Sequence, residues 1–178
     1  MPVGRGSPFY AFCLNLAMAS RPISRQWVGL LGWLLVAFAA AAVGAVASVN
    51  AQAFYAQLVK PAWSPPAGVF GPVWSVLYTL MGVSAWLVWR SRASRLALVL
   101  FFSQLAANAL WSWLFFAWHH GALATAEVLV LLALIAATLR AFWQSSRLAA
   151  GLLLPYLVWV AFASALTWSV WQSNPGLL

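Results

Sequence analysis

The chemistry open to this chain is narrow, because it holds one acid, Glu127, two histidines, His119 and His120, and one cysteine, Cys13, beside 13 tryptophans. Catalysis by a nucleophile needs a base within reach, and the sequence offers no such pair and no nucleotide-binding motif. Adjacent histidines project from different faces of a helix, and no further ligand stands at metal or haem spacing, so they read as a solvated turn. A lone cysteine makes no intramolecular disulfide and no metal cluster.

Aromatic faces with sparse hydrogen-bonding groups remain. Gln104, Asn108, Trp111 and Phe115 recur at spacings that put them on one face of a helix. The same spacing aligns Trp74, Tyr78, Gly82, Ala85 and Trp89, and again Tyr156, Trp159, Ala163 and Leu166. Two readings of these stripes stay open: interhelical packing with Asn and Gln as glue, or the lining of a largely aromatic pocket. Glu127, inside an apolar run, reads as a structural group bonded to a neighbouring Ser, Thr or Trp N–H, with a functional role as the alternative.

The elements that carry these stripes follow from composition. With 65% hydrophobic and only 6% charged residues, and a mean hydropathy of +0.91, the chain belongs in a bilayer. Five apolar runs are long enough to cross about 30 Å of hydrocarbon: 27–49, 72–90, 96–118, 121–143 and 148–171. The expected fold is all-α, a polytopic membrane protein with a bundle of five transmembrane helices over residues 26–178. Residues 1–25 read as a disordered or interfacial leader, in which Met18 is as plausible a start as Met1. Residues 50–71 form the one long loop. The turns SRASR, HHG and QSSR are short and imply antiparallel neighbours.

Charge assigns the sides. Arg5, Arg21 and Arg25, then Arg90, Arg92 and Arg95, then Arg140 and Arg147 fall on one side, against Lys60 alone on the other. The positive-inside rule makes this N-in, C-out, with the long loop outside. The net charge of +8 is therefore topology and not a nucleic-acid footprint. Within the loop, NAQAFYAQLV fits a short amphipathic helix. Pro61, Pro65 and Pro66 enforce extended backbone, and Pro72 restarts a helix in its first turn. Ala40, Gly44 and Ser48 give the first span a small face for close packing, within the bundle or in a dimer.

Three composite motifs stand in order: KPAWSPP with VFGPVWSVLY, QLAANALWSWLFF, and PYLVW. From the first span to the fifth, the chain resembles the family of tryptophan-rich sensory proteins and translocator proteins, also called peripheral-type benzodiazepine receptors. The resemblance implies a five-helix bundle, often a homodimer, whose cavity beneath the first loop binds porphyrin, haem or benzodiazepine-type ligands without a required cofactor. By motif position, Trp63 and Pro65, Trp74 and Tyr78, Asn108 and Trp111, and Trp159 match pocket residues, and Lys60 or Asn108 would meet a propionate or carbonyl. Two departures are plain. Gly68 stands where members usually carry an aromatic, and LTWSVWQ lacks the tyrosine and basic residue of the animal sterol segment, so specific sterol binding is not expected.

Function is thus expected to be tetrapyrrole binding in a multi-pass protein of a bacterial cell membrane, as a sensor or regulator of tetrapyrrole or stress response. Lipid and a second copy are the expected partners. The alternative from another class is a light-dependent, porphyrin-degrading enzyme using Trp63 or Trp159. A transporter of lipid or tetrapyrrole is a third reading, disfavoured because the chain has no internal two-fold repeat.

Overall fold

The computed structural model describes residues 23–91 and 94–178, with side chains from residue 26 onward. The expected leader lies outside the described residues except for its last three, which already belong to the first helix. Among the topogenic arginines, Arg5, Arg21 and Arg92 also lie outside them.

Helix α1 runs Ile23–Ala47 and a short α2 runs Ala51–Gln57. A 3-10 turn at Ala67–Val69 leads into α3, Phe70–Arg90. Helix α4, Arg95–Ser112, continues as a π-helical turn over Trp113–Ala117. Helices α5, Gly121–Ser145, and α6, Arg147–Ser173, complete the chain. With the 3-10 and π turns joined to their helices, five apolar segments of 22 to 27 residues result, enough to span a bilayer at 1.5 Å per residue. The described residues hold no strand.

Local chemistry sets the turns at one end of the bundle. Ser94 accepts a hydrogen bond from the Ala97 N–H at 3.3 Å, and Ser146 one from the Ala149 N–H at 3.2 Å. Each serine caps a helix start and fixes a tight reversal. At the other end the π turn closes with wider bonds, Trp118 N–H to Trp113 C=O and His120 N–H to Leu114 C=O, both 2.8 Å. His119 then takes a positive φ of 54° and turns the chain into α5.

The long helices form a closed ring in the order α1, α3, α6, α5, α4. Short turns do make neighbours of α4 and α5, and of α5 and α6, as expected. They do not make α3 and α4 neighbours in the ring, where α1 stands between them. Glycine permits that wedge. A Cβ on Gly82 would stand 2.8 Å from Leu34 Cδ2 and 3.3 Å from the Trp33 carbonyl oxygen, and one on Gly44 would stand 3.1 Å from Ser112 Oγ. The small face of α1 is thus used inside the bundle at Gly44.

Overpacking at such a contact costs about 1–3 kcal/mol. Gly82→Ala is accordingly expected to lower the thermal unfolding midpoint in detergent, whereas Gly151→Ala, with nothing within 4 Å, should not lower it. Equal midpoints for both variants would remove the wedge as a constraint.

The serine-capped end is packed solid. Phe101 and Phe142, both fully buried, stack at 6.0 Å, and the buried Ser84 Oγ donates to the Ala149 carbonyl at 2.7 Å, tying α3 to α6. Polar groups without partners lie elsewhere in the bundle.

Candidate ligand-binding site

The three aromatic stripes converge on Asn108. Its Oδ1 accepts the Tyr78 hydroxyl and its Nδ2 donates to the Tyr156 hydroxyl at 3.2 Å. One amide therefore joins α4 to α3 and α6, at residues only 5%, 5% and 0% exposed for Asn108, Tyr78 and Tyr156. Trp74 lies 5.6 Å from the Tyr78 ring and meets Tyr156 edge-on at 6.2 Å.

Trp111 and Trp159 form a second tier. Trp111 stacks on Phe115 at 5.2 Å and 12°. Trp159 meets Phe70 edge-on at 6.0 Å and Phe162 at 5.5 Å. The Nε1 of each indole is hidden from solvent and has no hydrogen-bond partner. A buried N–H left so is disfavoured by about 1–3 kcal/mol, which makes each indole a donor waiting for an acceptor. Gln104 Oε1 is likewise hidden and unbonded, its Nε2 lying 4.0 Å from Met81 Sδ. Glu127 departs from its expected structural role: neither carboxylate oxygen is bonded to a Ser, Thr or Trp neighbour, and both are hidden.

The loop closes over one end of this interior. Helix α2 stops at Gln57, and Leu58 turns extended at ψ 141°. The Asn174 side chain then receives the Val59 N–H at 2.8 Å and donates to the Val59 carbonyl at 2.9 Å and the Val170 carbonyl at 2.6 Å. Further on, the Tyr55 hydroxyl donates to the Pro65 carbonyl at 3.2 Å, and the Tyr55 ring meets Phe70 edge-on at 5.6 Å. Trp63, 51% exposed, rests its ring against Phe162 at 5.6 Å.

Lys60 is placed differently from the contact expected of it. Its ammonium donates to the Tyr55 and Leu58 carbonyls at 2.6 and 2.8 Å and lies 4.8 Å over the Tyr55 ring. It satisfies carbonyls that the end of α2 leaves open. His119 stacks on Phe54 at 4.2 Å, and no group of three His, Cys, Asp or Glu side chains gathers for a metal among the described residues.

Of the residues picked from sequence, Trp74, Tyr78 and Asn108 form one cluster, and Trp63 reaches Trp159 through Phe162. Pro65 contributes its carbonyl, and Trp111 sits one turn from Asn108. Tyr55, Phe70 and Phe162 were not among them. Phe70 was readable as the apolar residue opening α3, but Tyr55 and Phe162 gain their place only from the folded loop. In this arrangement the rings expected to line a cavity pack on one another. A hollow of about 770 Å³ opens on the far side of Trp159, along Gly151, Leu154, Pro155, Val158 and Phe162 of α6. Pro155 there removes the N–H that would bond the Gly151 carbonyl.

Fold and site define a class: an integral multi-pass membrane protein of five helices whose aromatic interior is closed at one end by a proline-stiffened loop. The sequence profile of the TspO/MBR family matches residues 32–172, and the chain belongs to that family. It is 38% identical over 156 residues to the translocator protein of Homo sapiens, covering 84% of this chain and 92% of that protein. It is 37% identical over 152 residues to the tryptophan-rich sensory protein of Cereibacter sphaeroides, covering 85% and 95%. Protein CrtK of Rhodobacter capsulatus is 38% identical over 141 residues, covering 77% and 87%.

Proposed function

We propose that this chain is a membrane-embedded tetrapyrrole-binding protein of the translocator type that senses or regulates tetrapyrrole or stress responses. The observation that carries this reading is the pair of hidden, unpartnered indole N–H groups of Trp111 and Trp159 within an aromatic interior. A flat ligand with carboxylate or carbonyl acceptors supplies what both lack, and its ring stacks on indole faces at offset geometry. Trp63 and the loop cover it, and Asn108 offers further polar contact. In this reading the protein works as a homodimer within a lipid bilayer, and porphyrin or haem is the ligand, with benzodiazepine-type molecules as synthetic competitors.

Protoporphyrin titration of the purified protein should quench tryptophan emission at micromolar ligand, in detergent and in lipid. Trp159→Phe keeps an aromatic ring and removes the N–H, and should weaken binding roughly tenfold, as for one hydrogen bond to a charged acceptor. Unchanged emission in both media would sink the reading.

One observation favours a second, enzymatic reading: the partly exposed Trp63, Phe162 and Trp159 form a continuous aromatic path from surface to interior. Illuminated porphyrin with dioxygen as oxidant would then be degraded faster by the wild type than by Trp63→Phe or Trp159→Phe. Equal bleaching in all three and in free porphyrin would eliminate it.

A further inference from the structure

Glu127, the one acidic side chain of the sequence, stands inside the bundle and is left unused by tetrapyrrole binding. It lies six residues past Gly121, the first of α5, which is about 9 Å along the helix. Both of its oxygens are hidden and unbonded. An unpaired carboxylate so placed is strongly disfavoured and takes either a proton or a counter-charge.

Among the described residues, no cation is bonded to Glu127. Lys60 is bonded to the Tyr55 and Leu58 carbonyls. Arg90 lies 4.6 Å over Trp86, and Arg147 5.9 Å from Trp143. Arg90, Arg95, Arg140 and Arg147 all stand at the serine-capped end, away from Glu127.

The surroundings favour an organic cation over a metal ion. Helix α5 packs between α4 and α6, which bear Trp111, Trp159 and Tyr156. A hard metal ion wants six or more oxygens, and the sequence holds no second acidic side chain. Aromatic faces, by contrast, attract cations of diffuse charge, which also lose little hydration on entering.

We propose that the interior beside Glu127 binds lipophilic organic cations, with the carboxylate as counter-ion and neighbouring indole and phenol faces as the cage. This goes beyond tetrapyrrole binding and does not depend on it.

The test is fluorescence polarisation of rhodamine 6G with the full chain in detergent. Binding should be saturable, displaced by tetraphenylphosphonium and not by neutral triphenylphosphine oxide. Glu127→Gln should weaken it at least roughly tenfold, reflecting the lost counter-charge, and Glu127→Asp should retain most of it. Protoporphyrin quenching by Glu127→Gln checks that the variant is folded. No saturable binding to the wild type, equal affinity in Glu127→Gln, or equal displacement by the neutral oxide would overturn the proposal. Should Glu127→Gln lose both probes, recovery of rhodamine binding in Glu127→Asp supports the site and no recovery overturns it. Rhodamine binding without porphyrin quenching in the wild type would remove the tetrapyrrole reading and leave this one standing.

Discussion

Asn108→Leu is expected to cost about 2–4 kcal/mol of stability and to loosen α3 and α6 from α4 together. Leucine keeps asparagine's branched skeleton and is no smaller, so the substitution leaves no cavity. The Tyr78 hydroxyl loses its acceptor and the Tyr156 hydroxyl loses its donor, and neither is accessible enough for water to substitute. Interhelical hydrogen bonds in membrane proteins average only about 0.6 kcal/mol, because the unfolded segments find other partners. The larger figure applies here because one substitution strands two buried groups at once. Unfolding by a denaturing detergent, followed by circular dichroism, measures it. The decisive comparison adds Tyr78→Phe and Tyr156→Phe to Asn108→Leu. Removing every member of the network should recover much of the loss, a non-additivity that a packing defect would not show. If Asn108→Leu unfolds like the wild type, the amide is not what joins the three helices.

That same amide was legible in the sequence, because a polar group at helical spacing from Gln104 and Trp111 in an apolar run has to face inward. The five spans were legible for a similar reason: a bilayer demands a run of fixed length, and no other element satisfies its backbone there. Their limits moved where local chemistry intervened. The prolines suggested a start at Pro72, whereas a 3-10 turn from Ala67 already orders the chain ahead of α3. The ring order was not legible, since the wedge of α1 depends on Gly82 meeting Leu34 and Gly44 meeting Ser112, pairs that no local pattern links. The π turn at Trp113–Ala117 has no proline or glycine to announce it. Lys60 illustrates the limit for site residues. A lone cation in a loop looks like a ligand contact, but the carbonyls that take it become available only once α2 ends at Gln57. Glu127 was conspicuous by type, yet the lack of a partner could be seen only in the folded bundle.

Asn174→Ala should act on the loop and leave the bundle alone. The side chain is 5% exposed and gives Val59 both a donor and an acceptor, as a neighbouring strand would. This pair of bonds ties the loop to the residue that ends α6, across 115 positions of sequence. Alanine leaves the Val59 groups to water, which replaces most of their bonding because the loop is at the surface, so the global cost is small. What changes is the free energy of local opening, by about 1–2 kcal/mol, enough for a tenfold or greater rise in amide exchange across Tyr55–Val59. Segments that open below the global unfolding free energy respond in this way without moving the unfolding midpoint. Asn174→Asp, which keeps an acceptor for the Val59 N–H and loses both donors, should fall between wild type and alanine. Porphyrin association and dissociation should both accelerate in Asn174→Ala, since the lid opens more often for each. Unaltered exchange would mean that Tyr55 on Pro65 and Phe70, and Trp63 on Phe162, hold the loop without the clasp. A fall in the global midpoint equal to that of Asn108→Leu would mean that loop and bundle open as one unit, and that the loop is not a lid at all.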